Sequence, residues 1–89
     1  MEPLTICPLI YVLKCEDDCY YVGITYNFNL RLAQHMNGSG ANWTRLHKPV
    51  GVVEIYHEGA TRAMESEVTK KYMELFGRDK VRGGSWTRC

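Results

Sequence analysis

The chain has 89 residues and a mass of 10.3 kDa, with 45% hydrophobic and 24% charged residues, a balance that excludes a disordered chain and a two-domain protein. A domain this small buries only about 60–65% of its unfolded surface, so any chemistry must sit in a shallow, open site. The net charge of +1 conceals a division: residues 1–30 carry Lys14 against Glu2, Glu16, Asp17 and Asp18, whereas residues 31–89 carry ten bases against six acids, a mildly basic remainder compatible with a polyanionic partner.

In chain order, Leu9-Ile10-Tyr11-Val12-Leu13 is a short β-rich run. Glu16-Asp17-Asp18 forms a polar turn, and Tyr20 to Thr25 is a second β-rich run, so the pair predicts a hairpin. Asn27 is placed to cap a helix in which Phe28, Leu32 and Met36 share one stripe and which stops at Asn37-Gly38. Gly38 to Lys48 is rich in Gly, Ser, Asn and bases and predicts a loop closed by Pro49. Val50 to Tyr56 predicts a third strand. Thr61 would cap a second helix carrying Met64, Val68, Tyr72, Leu75 and Phe76 on its apolar face, with Gly77 closing it. Beyond lies a basic, glycine-rich tail, residues 77–89. The order strand, strand, helix, strand, helix predicts an α+β fold with a small three-stranded antiparallel sheet flanked by helices, all in one domain spanning residues 1–89.

The four cysteines, Cys7, Cys15, Cys19 and Cys89, form no CxxC pair, which argues against a zinc finger and for free thiols in a reducing compartment. Cys15 and Cys19, flanking the turn, are the pair best placed for a disulfide. The N-terminus lacks the basic start and unbroken apolar run of a signal peptide, and no apolar run approaches the roughly 20 residues of a membrane span. The expected location is intracellular, in cytoplasm or nucleus, with no membrane partner.

Several residues could carry chemistry. Tyr20 and Tyr21 must face opposite sides of the sheet, so one of them can be core and the other cannot, unless all these tyrosines are packing residues of the sheet, where tyrosine is enriched. Tyr11 and Tyr21 could each serve as acid, base or hydrogen-bond donor. A phenol with a pKa near 10 costs about 4 kcal/mol to use as a base at neutral pH, so a tyrosine base requires a nearby cation. Arg31 and His35, a turn apart on the first helix, both project toward the sheet or its edge. On the second helix Glu67 and Glu74 share nearly one heading, and periodicity does not choose between them. A cation held by one such carboxylate and waters would be a hard ion such as Mg²⁺ or Mn²⁺. Trp43, Thr44 and Arg45 combine an aromatic, a hydroxyl and a base beside glycines, a set suited to stacking on bases and contacting a phosphate backbone. Trp43 reads equally well as an anchor pinning the loop to the core.

Taken in order, Leu9-Ile10-Tyr11, Tyr21-Val22-Gly23, Arg31, His35, Gly40-Ala41-Asn42-Trp43-Thr44-Arg45, Pro49-Val50 and Glu67 in a lysine-containing helix resemble the GIY-YIG nuclease domain, over about residues 10–71. The resemblance implies hydrolysis of DNA phosphodiester bonds with one divalent cation, leaving 5′-phosphate and 3′-hydroxyl ends. By the family pattern Glu67, rather than Glu74 or Glu65, matches the metal ligand, and Arg31 matches the arginine that meets the scissile phosphate. Tyr11 and Tyr21 match the two motif tyrosines, with Tyr11 slightly favoured as base, and His35 would orient the nucleophile or contact the phosphate. Leu9 in place of the first motif glycine and Val22 in place of isoleucine depart from the pattern away from the proposed chemistry. The alternative is a catalytically silent nucleic-acid-binding module of the same fold. Duplex or branched DNA is the expected partner; a chain this small would draw specificity from the Trp43-Thr44-Arg45 loop, the tail, a protein partner or a dimer.

Overall fold

A computed structural model describes residues 7–86; Cys89 and the last residues of the basic tail lie outside that range. The hairpin forms as its alternating pattern dictates. Strand β1 (Leu9–Cys15) pairs antiparallel with β2 (Cys19–Thr25) in an unbroken register from Leu9 opposite Thr25 to Cys15 opposite Cys19. The connection is a single 3-10 turn, Glu16–Asp18, in which Asp17 and Asp18 take φ of 63° and 58°, a left-handed conformation that aspartate tolerates better than most residues. Cys15 and Cys19 are buried free thiols.

Helix α1 (Phe28–Asn37) starts where Asn27 accepts a hydrogen bond from the Leu30 amide at 3.1 Å, and stops at Gly38, whose φ of 85° gives a left-handed cap. The following segment is not all loop. Asn42–Leu46 winds into a short helix, α2, whose Trp43 and Thr44 are buried, because the Trp43 side chain gains a place in the core. Strand β3 (Pro49–Tyr56) then pairs antiparallel with the free side of β1. Helix α3 (Arg62–Phe76) is capped by Thr61, which accepts from the Met64 amide at 3.1 Å.

The expected three-stranded antiparallel sheet is a four-stranded mixed one. After α3 and a 3-10 turn at Arg78–Lys80, residues Val81–Gly83 form β4, which lies parallel to β2 and sets the order β3-β1-β2-β4. Two features of the tail permit this. Val81 is fully buried as an anchor, and Gly83, at φ 149°, lies so close to β2 that a side chain there would run into the Val22 carbonyl.

Each face of the sheet carries its own core. On one, Ile10, Val12, Tyr20, Val22 and Val81 pack against Val68, Tyr72 and Met73 of α3. On the other, Tyr11, Leu13, Cys15, Cys19 and Tyr21 pack against Trp43, with Phe28, Leu32 and Ala41 at the margin. The alternation of Tyr20 and Tyr21 separates the two layers and leaves Tyr21 on the same side as Tyr11, but both are core, at 7% and 8% exposed, because the sheet is covered on each face. The apolar stripe of α3 is rotated from the expected one: Glu65, Val68, Thr69, Tyr72 and Met73 are buried, whereas Leu75 and Phe76 are 61% and 45% exposed. Among the described residues no helix is long and apolar enough to cross a membrane.

Candidate active site

At the end of the hairpin remote from its turn, an open cleft of about 540 Å³ is lined by Tyr11, Tyr21, Gly23, Arg31, Arg62, Glu65 and Gly84, with Ile24 to Asn27 forming its rim. Each wall has a sequence origin. Tyr11 and Tyr21 come from adjacent strands on the same face, their ring centroids 6.3 Å apart. Gly23, opposite Tyr11 in the ladder, has no side chain because the Tyr11 phenol lies across it. Arg31 comes from the first turn of α1, and its Nη1 donates to Gln34 Oε1 at 3.0 Å. From the opposite face, α3 contributes Arg62 and Glu65 beside the backbone of Gly84, the residue after β4.

The electrostatics couple these groups. Burial pushes both phenols above the ordinary tyrosine range, and Tyr11 is raised further by Tyr21, while the Arg31 guanidinium pulls both back down. Burial works against the charge of Arg31, but Tyr11 and Tyr21 more than offset it and hold the guanidinium firmly protonated. Glu65 is 6% exposed. Burial raises its pKa, opposed by Arg62, whose Nη1 lies 3.8 Å from Oε1, and by backbone hydrogen bonds from Gly84 and Ile24.

His35 lies behind Tyr11, 1% exposed, with Nε2 2.8 Å from the Tyr11 hydroxyl and Nδ1 2.7 Å from Thr44 Oγ1. Burial, aided by the charge of Arg31, lowers its pKa to about 4, so the imidazole is neutral at pH 7.

The structure therefore gathers Tyr11, Tyr21, Arg31 and, one layer back, His35. It does not bring Glu67 to them. Two residues along a helix is a rotation of about 200°, so Glu67 faces solvent while Glu65 enters the cleft, contrary to the expected gathering of Glu67 with the tyrosines and Arg31. Glu74 lies elsewhere, in a groove with Lys70, Arg78 and Trp86. The expected nucleic-acid set of the loop also separates. Trp43 is 6% exposed and its Nε1 donates to the Tyr20 carbonyl at 2.9 Å, under the Arg82 guanidinium at 4.7 Å from the ring, so it is an anchor with no face left for a base. Thr44 is 1% exposed against His35. Arg45 alone is exposed, its Nη2 donating to Asn42 Oδ1 at 2.6 Å.

The sequence offers no site reading for Arg62 or the Gly83-Gly84 pair, and by the family pattern Glu65 is set aside in favour of Glu67. A signal for Glu65 was present: stepping back by four from Met73 gives Thr69 and then Glu65, a carboxylate on the buried line of the helix. As for a metal, no group of three His, Cys, Asp or Glu residues lies together among the described residues. The donor set is thus one carboxylate, which suits a hard cation that keeps most of its water shell. Glu65 is buried enough for its charge to carry a desolvation cost that a cation would relieve, and a cleft of about 540 Å³ leaves space for a hydrated ion beside a phosphate, water occupying about 30 Å³ per molecule. The residues present fit such an ion.

Comparison with known proteins bears on the same stretch of chain. The family model described as the GIY-YIG catalytic domain matches residues 7–78. A UPF0213 protein of Staphylococcus epidermidis is 36% identical over 66 residues, covering 74% of this chain and 76% of the relative. One from Clostridium perfringens is 35% identical over 71 residues, 80% of this chain and 74% of the relative. UPF0213 protein YazA of Bacillus subtilis is 33% identical over 76 residues, 79% of this chain and 77% of the relative. No solved structure matches the chain.

Proposed function

From the premise that this chain belongs to the GIY-YIG catalytic domain family, whose fold is of the nuclease type, we infer that it is an endonuclease hydrolysing DNA phosphodiester bonds with one Mg²⁺ or Mn²⁺ ion. The observation that carries this reading is the convergence of two phenols, a guanidinium and a buried carboxylate on one open cleft, drawn from both faces of the sheet. A shallow cleft suits a duplex backbone, which must approach from outside.

Glu65, rather than Glu67, holds the cation. When bound, the cation would offset charge building on the phosphate oxygens and make attack by water easier. Arg31 contacts the scissile phosphate from the other side of the cleft, its charge secured by the two phenols, where a preorganised donor is worth more than in bulk water. Arg62, largely exposed beside Glu65, offers a second guanidinium to the phosphodiester. Tyr11 is the base. The water O–H bond breaks toward Tyr11 Oη, the water oxygen forms a bond to phosphorus, and the bond to the 3′ oxygen breaks, leaving a 5′-phosphate and a 3′-hydroxyl once that oxygen takes a proton from solvent. Tyr11 is preferred over Tyr21 because only Tyr11 has an imidazole within hydrogen-bond distance of its hydroxyl among the described residues. Tyr21, 4.9 Å between ring centroids from His35, lies in the cleft to hydrogen-bond the water or the phosphate.

The test is a cleavage screen over duplex, nicked, flapped and branched DNA in Mg²⁺ and Mn²⁺. Cleavage by the native protein should fall about 10³-fold in Glu65→Gln and in Arg31→Ala and persist in Glu67→Gln. Activity lost in Glu67→Gln but kept in Glu65→Gln would restore the sequence assignment. Salt-dependent DNA binding without turnover in either metal would make the protein a binding module of the same fold.

A further inference from the structure

The contacts behind Tyr11 specify the proton arrangement of His35. The Thr44 hydroxyl has one hydrogen and lies 3.0 Å from the Ala41 carbonyl oxygen, which can only accept and which also takes the Arg45 amide at 3.1 Å. If Thr44 gave its hydrogen to His35, its oxygen and that of Ala41 would face each other as two acceptors. With Thr44 donating to Ala41, its oxygen is free to accept, so the contact at 2.7 Å requires a proton on His35 Nδ1. A neutral imidazole carries one N–H. Nε2 is then bare, and the 2.8 Å contact is a hydrogen bond donated by the Tyr11 hydroxyl. One assignment turns all three contacts into hydrogen bonds running one way, from Tyr11 through His35 and Thr44 to the Ala41 carbonyl. The backbone is shaped to allow it, since Gly40 passes so close to His35 that a Cβ there would lie 2.6 Å from Nδ1.

We propose that Thr44 is a positioning residue that fixes His35 as its Nδ1–H tautomer and so keeps Nε2 as the acceptor for the proton of Tyr11. Thr44 contacts no substrate. It acts through His35, as the partner of a catalytic imidazole does when it sets tautomer and orientation. The functional consequence rests on the reading of Tyr11 as base: as a proton leaves the attacking water for Tyr11 Oη, the phenolic proton passes to His35 Nε2, and His35 returns it when the cycle closes. A phenol whose ionised form is disfavoured by burial can then accept a proton without having first to exist as a free phenolate. The Gly40 to Thr44 segment serves the site from behind rather than gripping nucleic acid.

The experiment is ¹⁵N NMR of the His35 ring in the full chain at pH 7, in the native protein, Thr44→Ser and Thr44→Val, with amide spectra to verify folding. The native protein and Thr44→Ser should show a protonated Nδ1 and a bare Nε2. Thr44→Val, which keeps the shape but removes the acceptor, should shift the ring toward Nε2–H and lower cleavage by about 10²-fold or more, the least a well-placed general base contributes, while Thr44→Ser retains it. A native spectrum with the proton on Nε2, or an unchanged Nδ1–H ring in folded Thr44→Val, overturns the proposal. The native and Thr44→Ser spectra decide the tautomer even if Thr44→Val does not fold. A protein with the expected tautomer that cleaves no DNA would leave this inference standing and remove the endonuclease reading.

Discussion

The hydroxyl of Tyr11 occupies the space that a side chain on Gly23 would fill. The two residues face each other across the β1–β2 ladder, and the phenol reaches the cleft by crossing over the bare backbone of its partner.

Gly23→Ala should therefore do two things at once. The added methyl overlaps a buried ring held by Phe28, at 5.4 Å between centroids, and by His35, so overpacking should cost about 1–3 kcal/mol of stability, read by urea denaturation. The phenol must also leave its place, so cleavage should fall by about 10²-fold or more, even under conditions where the variant is fully folded.

Lowering the pH should destabilise the protein through His35. Its pKa is about 4 when folded, against 6.5 in a free chain, so the unfolded chain takes up a proton first as pH falls. The stabilisation is complete above pH 6.5 and is lost between 6.5 and about 4, amounting to at most about 3 kcal/mol. His35→Gln should show less of this pH dependence in denaturation curves recorded from pH 4 to 8. An equal slope in both proteins would assign the effect to other groups.

Glu65 carries the opposite sign. Burial raises its folded pKa, so the unfolded chain gives up this proton first, and stability falls as pH rises from the ordinary carboxylate range through the folded value. Glu65→Gln should be at least as stable as the native protein at pH 7 in the absence of metal. Excess Mg²⁺ should raise the melting temperature of the native protein, by mass action on the folded state, and leave that of Glu65→Gln unchanged.

Trp43→Phe separates anchoring from binding. It removes the hydrogen bond to the Tyr20 carbonyl, and should cost on the order of 1–3 kcal/mol because an acceptor is left buried. The affinity of the folded variant for DNA, measured by fluorescence anisotropy, should stay within about twofold of native, whereas loss of a base-stacking contact would cost about 1–3 kcal/mol of binding.

Much of this was legible in the sequence wherever local chemistry and tertiary packing agree. The caps at Asn27 and Thr61, the stop at Gly38, and the division of Tyr20 from Tyr21 follow from side-chain chemistry and strand geometry alone. The resemblance carried the cleft residues Tyr11, Tyr21 and Arg31. What stayed hidden is what neighbours decide. Val81-Arg82-Gly83 is too short to show alternation, and becomes a strand only because β2 offers a free edge. Asn42 to Leu46 has loop composition and becomes helical around a buried tryptophan. On α3, Glu65 and Thr69 are polar residues on the buried line, so a search for apolar residues places the inward face too far round, and Glu67, chosen on the resemblance, lies outside the cleft that Glu65 enters.

The backbone amides that hydrogen-bond the Glu65 carboxylate come from Ile24 and Gly84, at the end of the hairpin and just past the last strand. The cleft thus depends on both the hairpin and the segment that follows α3. During synthesis, the carboxylate would lack one of its two amides until the segment following α3 has left the ribosome and zipped onto β2. A proteolytic nick or a frameshift after α3 would yield a hairpin with both tyrosines and the arginine in place but an unfinished anion cradle. A site built this way would stay incomplete until the segment after α3 has docked against β2.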